Sequence, residues 1–486
     1  MTMEEKLVPL LINSEDLEHE STYDVVSPST AKACWKAVSA TPEDATKAVE
    51  AAQSAFPKWS SSSPTARAEI LERVAKYLEA NIETLAGYMM EEMGADRGTA
   101  QFFVLPLAIN MCRSIAARCT TICGSVPVVA QPGQSAMIWK EPYGVCLSIV
   151  PWNAPYVFGI RSAATAIATG NTCVLKASEM TPRCYWAIGK AFREAGLTPG
   201  VLNVIGCRPA DAAQVVNTMI EHPAVKHIDF TGSANIGRKI ARACGENLKP
   251  CLMELGGKNS AIVLADADLT KAARECIGGS FLNAGQICMA TDQILVHSSI
   301  ATQLVESIKE QLAAAARQSE GPPNVVSNSS KDRLAKLLSD AVSKGAQVLA
   351  GSDCPNNIPG AGFVPTILGS VNQDSELNHE EAFGPLASLR TFETDIEAIR
   401  IANTAPYGLS AAVFTRDLRR GLAIAKRLES GAVHINSMTV HDEPALPFGG
   451  VKNSGWGRFN SDQGLTEFLV TKSVTWDDYD ESKMLE

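Results

Sequence analysis

The chain has 486 residues, of which 45% are hydrophobic and 20% charged, and its formal net charge is -10. That length predicts two or three domains with enough core to need no disulfide or metal staple. The acidic balance, with no block of Lys and Arg, argues against nucleic acid as a partner, because phosphate binding needs clustered basic groups.

The thirteen cysteines are scattered. They form no CxxC pair and no Cys/His cluster at metal-ligand spacing, so no metal site is expected. Cys119 and Cys123 lie four apart and read as buried free thiols on one helix face. This usage suits a reducing compartment. Met1-Thr2-Met3-Glu4-Glu5-Lys6 is acidic and lacks the charged and apolar regions of a signal peptide. No apolar stretch reads as long enough to span a bilayer. The expectation is a cytoplasmic protein with no membrane partner.

In chain order, Thr41-Pro42-Glu43-Asp44 predicts a helix start, with Ala45, Val49, Ala52 and Phe56 at helical spacing. A second helix follows Ser63-Pro64, its stripe running from Leu71 to Met89, with Gly94 as its stop. Residues 126–143 alternate around Gln131-Pro132-Gly133-Gln134, which reads as a hairpin. From Val145, short apolar runs at 146–150, 172–176, 201–205 and 227–230 alternate with helical stretches. This is the pattern of a parallel sheet covered on both faces, with ligands bound beyond the carboxyl ends of its strands. A second alternating block begins near Leu255. Its strands are expected at 261–264, 293–297, 387–392, 411–415 and 432–435, and its helices at 302–315, 331–344, 395–402 and 418–428. Residues 318–330, rich in Pro, Asn and Ser, read as a surface loop far from any chemistry. A strand-like run at 466–476 could pair with 126–143 in a small projecting sheet, and such an edge tends to be covered by another subunit. The fold class is α/β.

Three segments carry the chemistry. Cys288 sits in Gly285-Gln286-Ile287-Cys288, Glu254 in Met253-Glu254-Leu255-Gly256-Gly257-Lys258, and Asn153 closes Pro151-Trp152-Asn153. Singly, these read as a buried thiol, a loop-end carboxylate and a turn residue. Together they are a nucleophile, a general base and a neutral oxyanion donor, the groups needed to oxidise an aldehyde through a thioester. Thr231-Gly232-Ser233 lies between a strand and a helical stretch, which aims backbone N–H groups at a pyrophosphate.

The chain resembles the NAD(P)-dependent aldehyde dehydrogenase superfamily from about Leu10 to about Trp476, most of all its salicylaldehyde and aromatic-aldehyde branch. The resemblance implies a Rossmann-like cofactor domain (1–124 and 144–253), a catalytic domain (254–465) and oligomerisation segments (125–143 and 466–486) of a homodimer or homotetramer. It implies catalysis by Cys288, Asn153 and Glu254. It implies NAD bound by Ile149, Pro151, Trp152, Lys176, Glu179, Gly232, Ser233, Leu255, Gly256, Glu381 and Phe383. A carboxylate at Glu179 accepts bonds from the adenosine ribose and repels a 2′-phosphate, which favours NAD over NADP. Ala154, Phe158 and Arg161 share one helix face. An arginine there matches the aromatic branch and could pair with a phenol, phenolate or carboxylate oxygen, or form a structural salt bridge. Ile287 and Met289, the loop 438–447 and either Phe102 or Phe103 are expected to line the pocket of a small-molecule aldehyde. Two other readings are an enzyme that releases acyl-coenzyme A, which the presence of Glu254 disfavours, and a non-catalytic relative that binds without turnover.

Overall fold

The computed structural model describes residues 7–318, 321–353 and 360–477. The acidic start at 1–6, residues 319–320 of the expected loop and the tail at 478–486 lie outside the described residues. An eight-stranded sheet runs in the order Gly455–Trp456, Cys251–Glu254, Val225–Thr231, Val145–Ile149, Thr172–Lys176, Leu202–Ile205, Leu10–Ile12 and Glu15–Leu17. Its five central strands, from Cys251–Glu254 to Leu202–Ile205, are parallel. Val145–Ile149 and Thr172–Lys176 are buried at every position, which is why they read as unbroken apolar runs. The chain leaves Val145–Ile149 towards one edge of the sheet and returns to its other side with Val225–Thr231. Strand order therefore reverses between these two strands. Pro151-Trp152-Asn153 and Gly232-Ser233 both emerge at that crevice, where α/β sheets bind ligands.

A seven-stranded sheet follows, in the order Gln347–Ala350, Thr366–Gly369, Leu386–Phe392, Thr291–His297, Asn259–Val263, Ser410–Phe414 and Ala432–Ile435. All its pairs are parallel except the first, which is antiparallel. Glu254 ends a strand of the first sheet and Asn259 begins one of the second, so four residues bridge the two. Cys288 precedes Thr291–His297 at the same junction.

The first predicted helix is Pro42–Ser60, closed by a capping box between Thr41 and Asp44. The second is broken at Asn81 into Pro64–Ala80 and Ile82–Met93, and Gly94 ends it at φ +69°. Contrary to the sequence reading, one helical run, Thr99–Thr121, is long and apolar enough to cross a membrane, with a mean hydropathy of 1.3. Its face of Leu105, Ala108, Ile109, Cys112 and Ile115 is buried, and it packs on Pro64–Ala80 and Pro155–Ala168 as a core helix. Cys119 is buried, but Cys123 lies past the helix and is exposed.

Two further expectations need correction. No hairpin forms in 126–143. Gln134–Pro142 is the only named strand there, and its nine residues pair antiparallel with Leu469–Asp477. Nor is 318–330 only a surface loop. Val325 and Val326 are buried, and a helix begins at Asn328 with Ser327 as its cap. The Val326 N–H donates to Gln286 Oε1 at 2.8 Å, two residues from Cys288.

Candidate active site

The turn carrying Cys288 is built from residues in unusual conformations. Asn283, Ala284 and Gly285 have φ of +52°, +56° and +69° in succession. A side chain at Gly285 would strike the Gly384 carbonyl. Such backbone persists only where its surroundings hold it. Here Asn283 Nδ2 donates to the Asn153 carbonyl at 3.0 Å, and Asn153 Nδ2 donates to the Gln286 carbonyl at 2.9 Å. Asn259 Nδ2 donates to the carbonyls of Cys288 and Ala290 at 2.8 and 2.9 Å. Asn153 and Cys288 are thus fixed to each other, and one hydrogen of the Asn153 amide remains free for another acceptor.

Glu254 and the Cys288 thiol are neighbours that perturb each other's ionisation, and both groups are buried. Glu254 Oε1 has no partner among the described residues. Burial raises the Glu254 pKa to about 7, against the pull of Arg161 and of the thiol. Burial, then the neighbouring Glu254, pushes the thiol well above its ordinary value. A carboxylate poised near 7 beside a protonated thiol is suited to moving protons at neutral pH.

Cys288 opens on a cavity of about 500 Å³. Pro151, Trp152, Asn153, Phe158, Gly232, Ser233, Glu254, Gly256, Glu381 and Phe383 line it, all anticipated from sequence. Asn235, Ser330, Arg333, His379 and Tyr407 line it too and were not anticipated. Helix Ala234–Glu246 opens into the cavity, with Ser233 as its cap. Its free N–H groups and dipole suit a pyrophosphate. Trp152 and Phe383 meet edge to face with centroids 5.6 Å apart. Glu381 Oε1 accepts the Gly257 N–H at 2.9 Å, and a side chain at Gly256 would collide with the same carboxyl. Burial raises the Glu381 pKa to about 8. Arg333 holds this segment by donating to the carbonyls of Glu381 and Ala382. These residues fit a dinucleotide.

Other expected residues lie outside the cavity lining. Lys176 ends the strand next to Ile149 in register, and Glu179 follows at the same sheet edge. The Leu255 side chain packs where Gly237 leaves room, and its N–H donates to the Ser454 carbonyl. Ile287 and Met289 flank Cys288 in an apolar cluster with Val440, Phe448, Met438 and Phe103. Phe103 belongs to that cluster, whereas Phe102 is 79% exposed. Ala154 packs into the main core. Arg161 is 1% exposed, and its Nη1 lies 3.4 Å from Asp442 Oδ2.

The profile of the aldehyde dehydrogenase family matches residues 15–474. The chain belongs to the aldehyde dehydrogenase family. It is similar to a vanillin dehydrogenase of Pseudomonas fluorescens, 39% identical over 96% of this chain and 97% of that protein. It is also similar to a salicylaldehyde dehydrogenase of Pseudomonas putida, 36% identical over 97% of this chain and 98% of that protein. The crystal structure of a salicylaldehyde dehydrogenase from Pseudomonas putida G7, complexed with salicylaldehyde, superposes with a TM-score of 0.93 at 34% identity, covering 98% of this chain and 99% of that one. This aldehyde dehydrogenase therefore has the α/β fold of its family and is an NAD(P)-dependent enzyme that oxidises an aldehyde to an acid.

Proposed function

We propose that this aldehyde dehydrogenase oxidises an aromatic aldehyde to its carboxylic acid with NAD, through a thioester on Cys288. The observation that carries the reading is the buried Glu254–Cys288 contact beside an Asn153 amide with one hydrogen to spare. Cys288 loses its proton and its sulfur attacks the carbonyl carbon. The oxyanion that forms accepts the free hydrogen of Asn153 Nδ2 and the Cys288 N–H. The bound dinucleotide supplies the hydride acceptor. Gly232, Ser233, Glu381, Phe383 and Trp152 would hold it, with Ile149, Pro151, Leu255 and Gly256 shaping the backbone around it. Lys176 and Glu179 would hold the adenosine ribose, and the Glu179 carboxylate would favour NAD over NADP. The thioester left on Cys288 is attacked by water, whose proton Glu254 takes. Hydrolysis, rather than transfer to coenzyme A, follows from a carboxylate at the thiol.

The aromatic preference rests on the vanillin and salicylaldehyde relatives, on Phe158 in the cavity lining and on the apolar cluster of Ile287, Met289 and Phe448 packed around Cys288. Arg161 meets an oxygen substituent of the ring. The test is NADH absorbance on mixing the protein, NAD and salicylaldehyde or benzaldehyde. Turnover that is lost in Cys288→Ser is expected. No signal across a wide aldehyde panel, or undiminished turnover in the variant, overturns the reading.

The enzyme works as a homodimer or homotetramer in the cytoplasm. Exposed Met137, Trp139, Val470 and Trp476 on the two-stranded arm supply an apolar surface for another subunit, and the twelve cysteines among the described residues are free thiols.

A further inference from the structure

Arg161 is among the largest fully buried side chains of the protein, and its surroundings are unusual. Three phenyl rings surround the guanidinium, those of Phe158, Phe448 and Phe459, with Cζ 4.8, 4.9 and 4.3 Å from their centroids. Nη1 faces Asp442 Oδ2 at 3.4 Å, and the Asp442 side chain is 5% exposed. Nε and Nη2 have no hydrogen-bond partner among the described residues. These two nitrogens carry the parallel N–H bonds of a guanidinium's side edge, the fork that binds two oxygens at once. Buried donors are normally satisfied, so an unpaired fork in a ring-lined cage calls for an acceptor from outside the chain.

Asp442 is itself held in place. Asn460 Nδ2 donates to its Oδ1 at 2.7 Å, from a backbone with φ of +62°. Its two oxygens therefore have separate tasks, one anchored to Asn460 and one facing Nη1. A carboxylate fixed in this way both balances the guanidinium charge and sets the rotation of its plane. Phe448 joins the same apolar cluster as Cys288, so the cage is continuous with the pocket side of the nucleophile.

We propose that Asp442 is a positioning residue for substrate selection. By engaging Nη1 it presents the Nε/Nη2 fork of Arg161 to aromatic aldehydes whose ring carries oxygen substituents, most of all two adjacent oxygens or an ionised one. This rests on the aromatic-aldehyde reading above. A ring without such oxygens leaves both donors unpaired in the complex, and a site built to bond an oxygen rejects the analogue that lacks it.

The experiment compares kcat and KM for benzaldehyde, 4-hydroxybenzaldehyde and 3,4-dihydroxybenzaldehyde in wild type, Asp442→Asn, Asp442→Glu, Asn460→Gly and Arg161→Met, and in Asp442→Asn made on the Arg161→Met background. Glycine accepts the φ of Asn460 and removes only its amide. The expected result is a fall in the preference for oxygenated over plain rings of roughly 10- to 100-fold in Asp442→Asn, carried mainly by KM. Asn460→Gly falls in the same direction by less. Asp442→Asn adds nothing to the ratio once Arg161 is Met. Asp442→Glu restores part of the preference, which a purely structural role would not produce. If Asp442→Asn fails to fold, Asn460→Gly decides the matter alone. Equal losses on all three substrates, an unchanged ratio, or the same ratio change on the Arg161→Met background overturns the proposal. Wild type that turns over none of the three overturns instead the reading on which it rests.

Discussion

Lys258 and Asp292 form an ion pair of 2.6 Å, each side chain 5% exposed, and the second Asp292 oxygen accepts the Ala382 N–H at 2.9 Å. Lys258 belongs to the segment after Glu254, and Ala382 follows Glu381. One carboxylate therefore ties the segment after Glu254 to the segment of Glu381. Asp292→Ala leaves a buried ammonium unpaired, a loss of about 3–5 kcal/mol. Chemical denaturation should show it, and NAD titration of the folded variant should show weaker binding because the Glu381 segment has lost one of its holds.

In the proposed mechanism Asn153→Ala removes the amide that receives the oxyanion. Loss of one such donor costs about 100- to 1,000-fold in kcat. Steady-state kinetics should show that fall, while NAD affinity changes little because the other cofactor residues remain. An equal fall in NAD binding would assign Asn153 to the cofactor instead.

The proposed mechanism has Glu254 take a proton from water, for which it must be ionised, and burial places its pKa at about 7. Below that pH the ionised fraction rises tenfold per pH unit, so the hydrolytic rate climbs with pH and levels above it. In Glu254→Gln the rising limb should disappear, and steady-state turnover should collapse. A single rapid release of NADH per active site should survive, because the thioester can still form. Rapid mixing across a pH series checks both parts.

Glu92 is wholly buried and accepts bonds from Trp35 Nε1 at 2.9 Å and from the N–H groups of Arg183 and Cys184 at 2.8 and 3.0 Å. It caps helix Pro182–Glu194 from a distance. Burial outweighs these donors and lifts its pKa from 4.5 to about 7. Between those values the unfolded chain has lost this proton and the folded chain keeps it. The folded state binds more protons, so this group's contribution to stability falls as pH rises through the window, by about 3 kcal/mol at its end. Urea denaturation of Glu92→Gln from pH 5 to 8 should show a flatter dependence than wild type.

The two main sheets were largely legible in the sequence, because strands buried on both faces leave unbroken apolar runs, as at Thr172–Lys176. The short strands Leu7–Val8, Leu10–Ile12, Glu15–Leu17, Thr22–Val26 and Ala33–Val38 were not, because two to six residues are too few to show a clear period, and one of their pairings is remote. Leu11, for example, registers with Val204. The break at Asn81 was hidden by an apolar stripe that keeps its period across it. The turn at Gln131-Pro132-Gly133-Gln134 misled because the partner of Gln134–Pro142 is the C-terminal strand. Cys288, Glu254 and Asn153 stand in distinctive local contexts, so they could be picked out before their meeting was seen. Arg333, Tyr407 and His379 carry no such context and enter the cavity only through the fold. Asp442 was likewise invisible as a partner of Arg161, since 281 residues separate them.

The nine-residue ladder between Gln134–Pro142 and Leu469–Asp477 has a consequence for biosynthesis. At Lys140 and Thr471 its partners are 331 residues apart. Trp139 therefore leaves the ribosome long before the strand that completes its ladder, and this arm stays open for as long as the intervening residues take to be made.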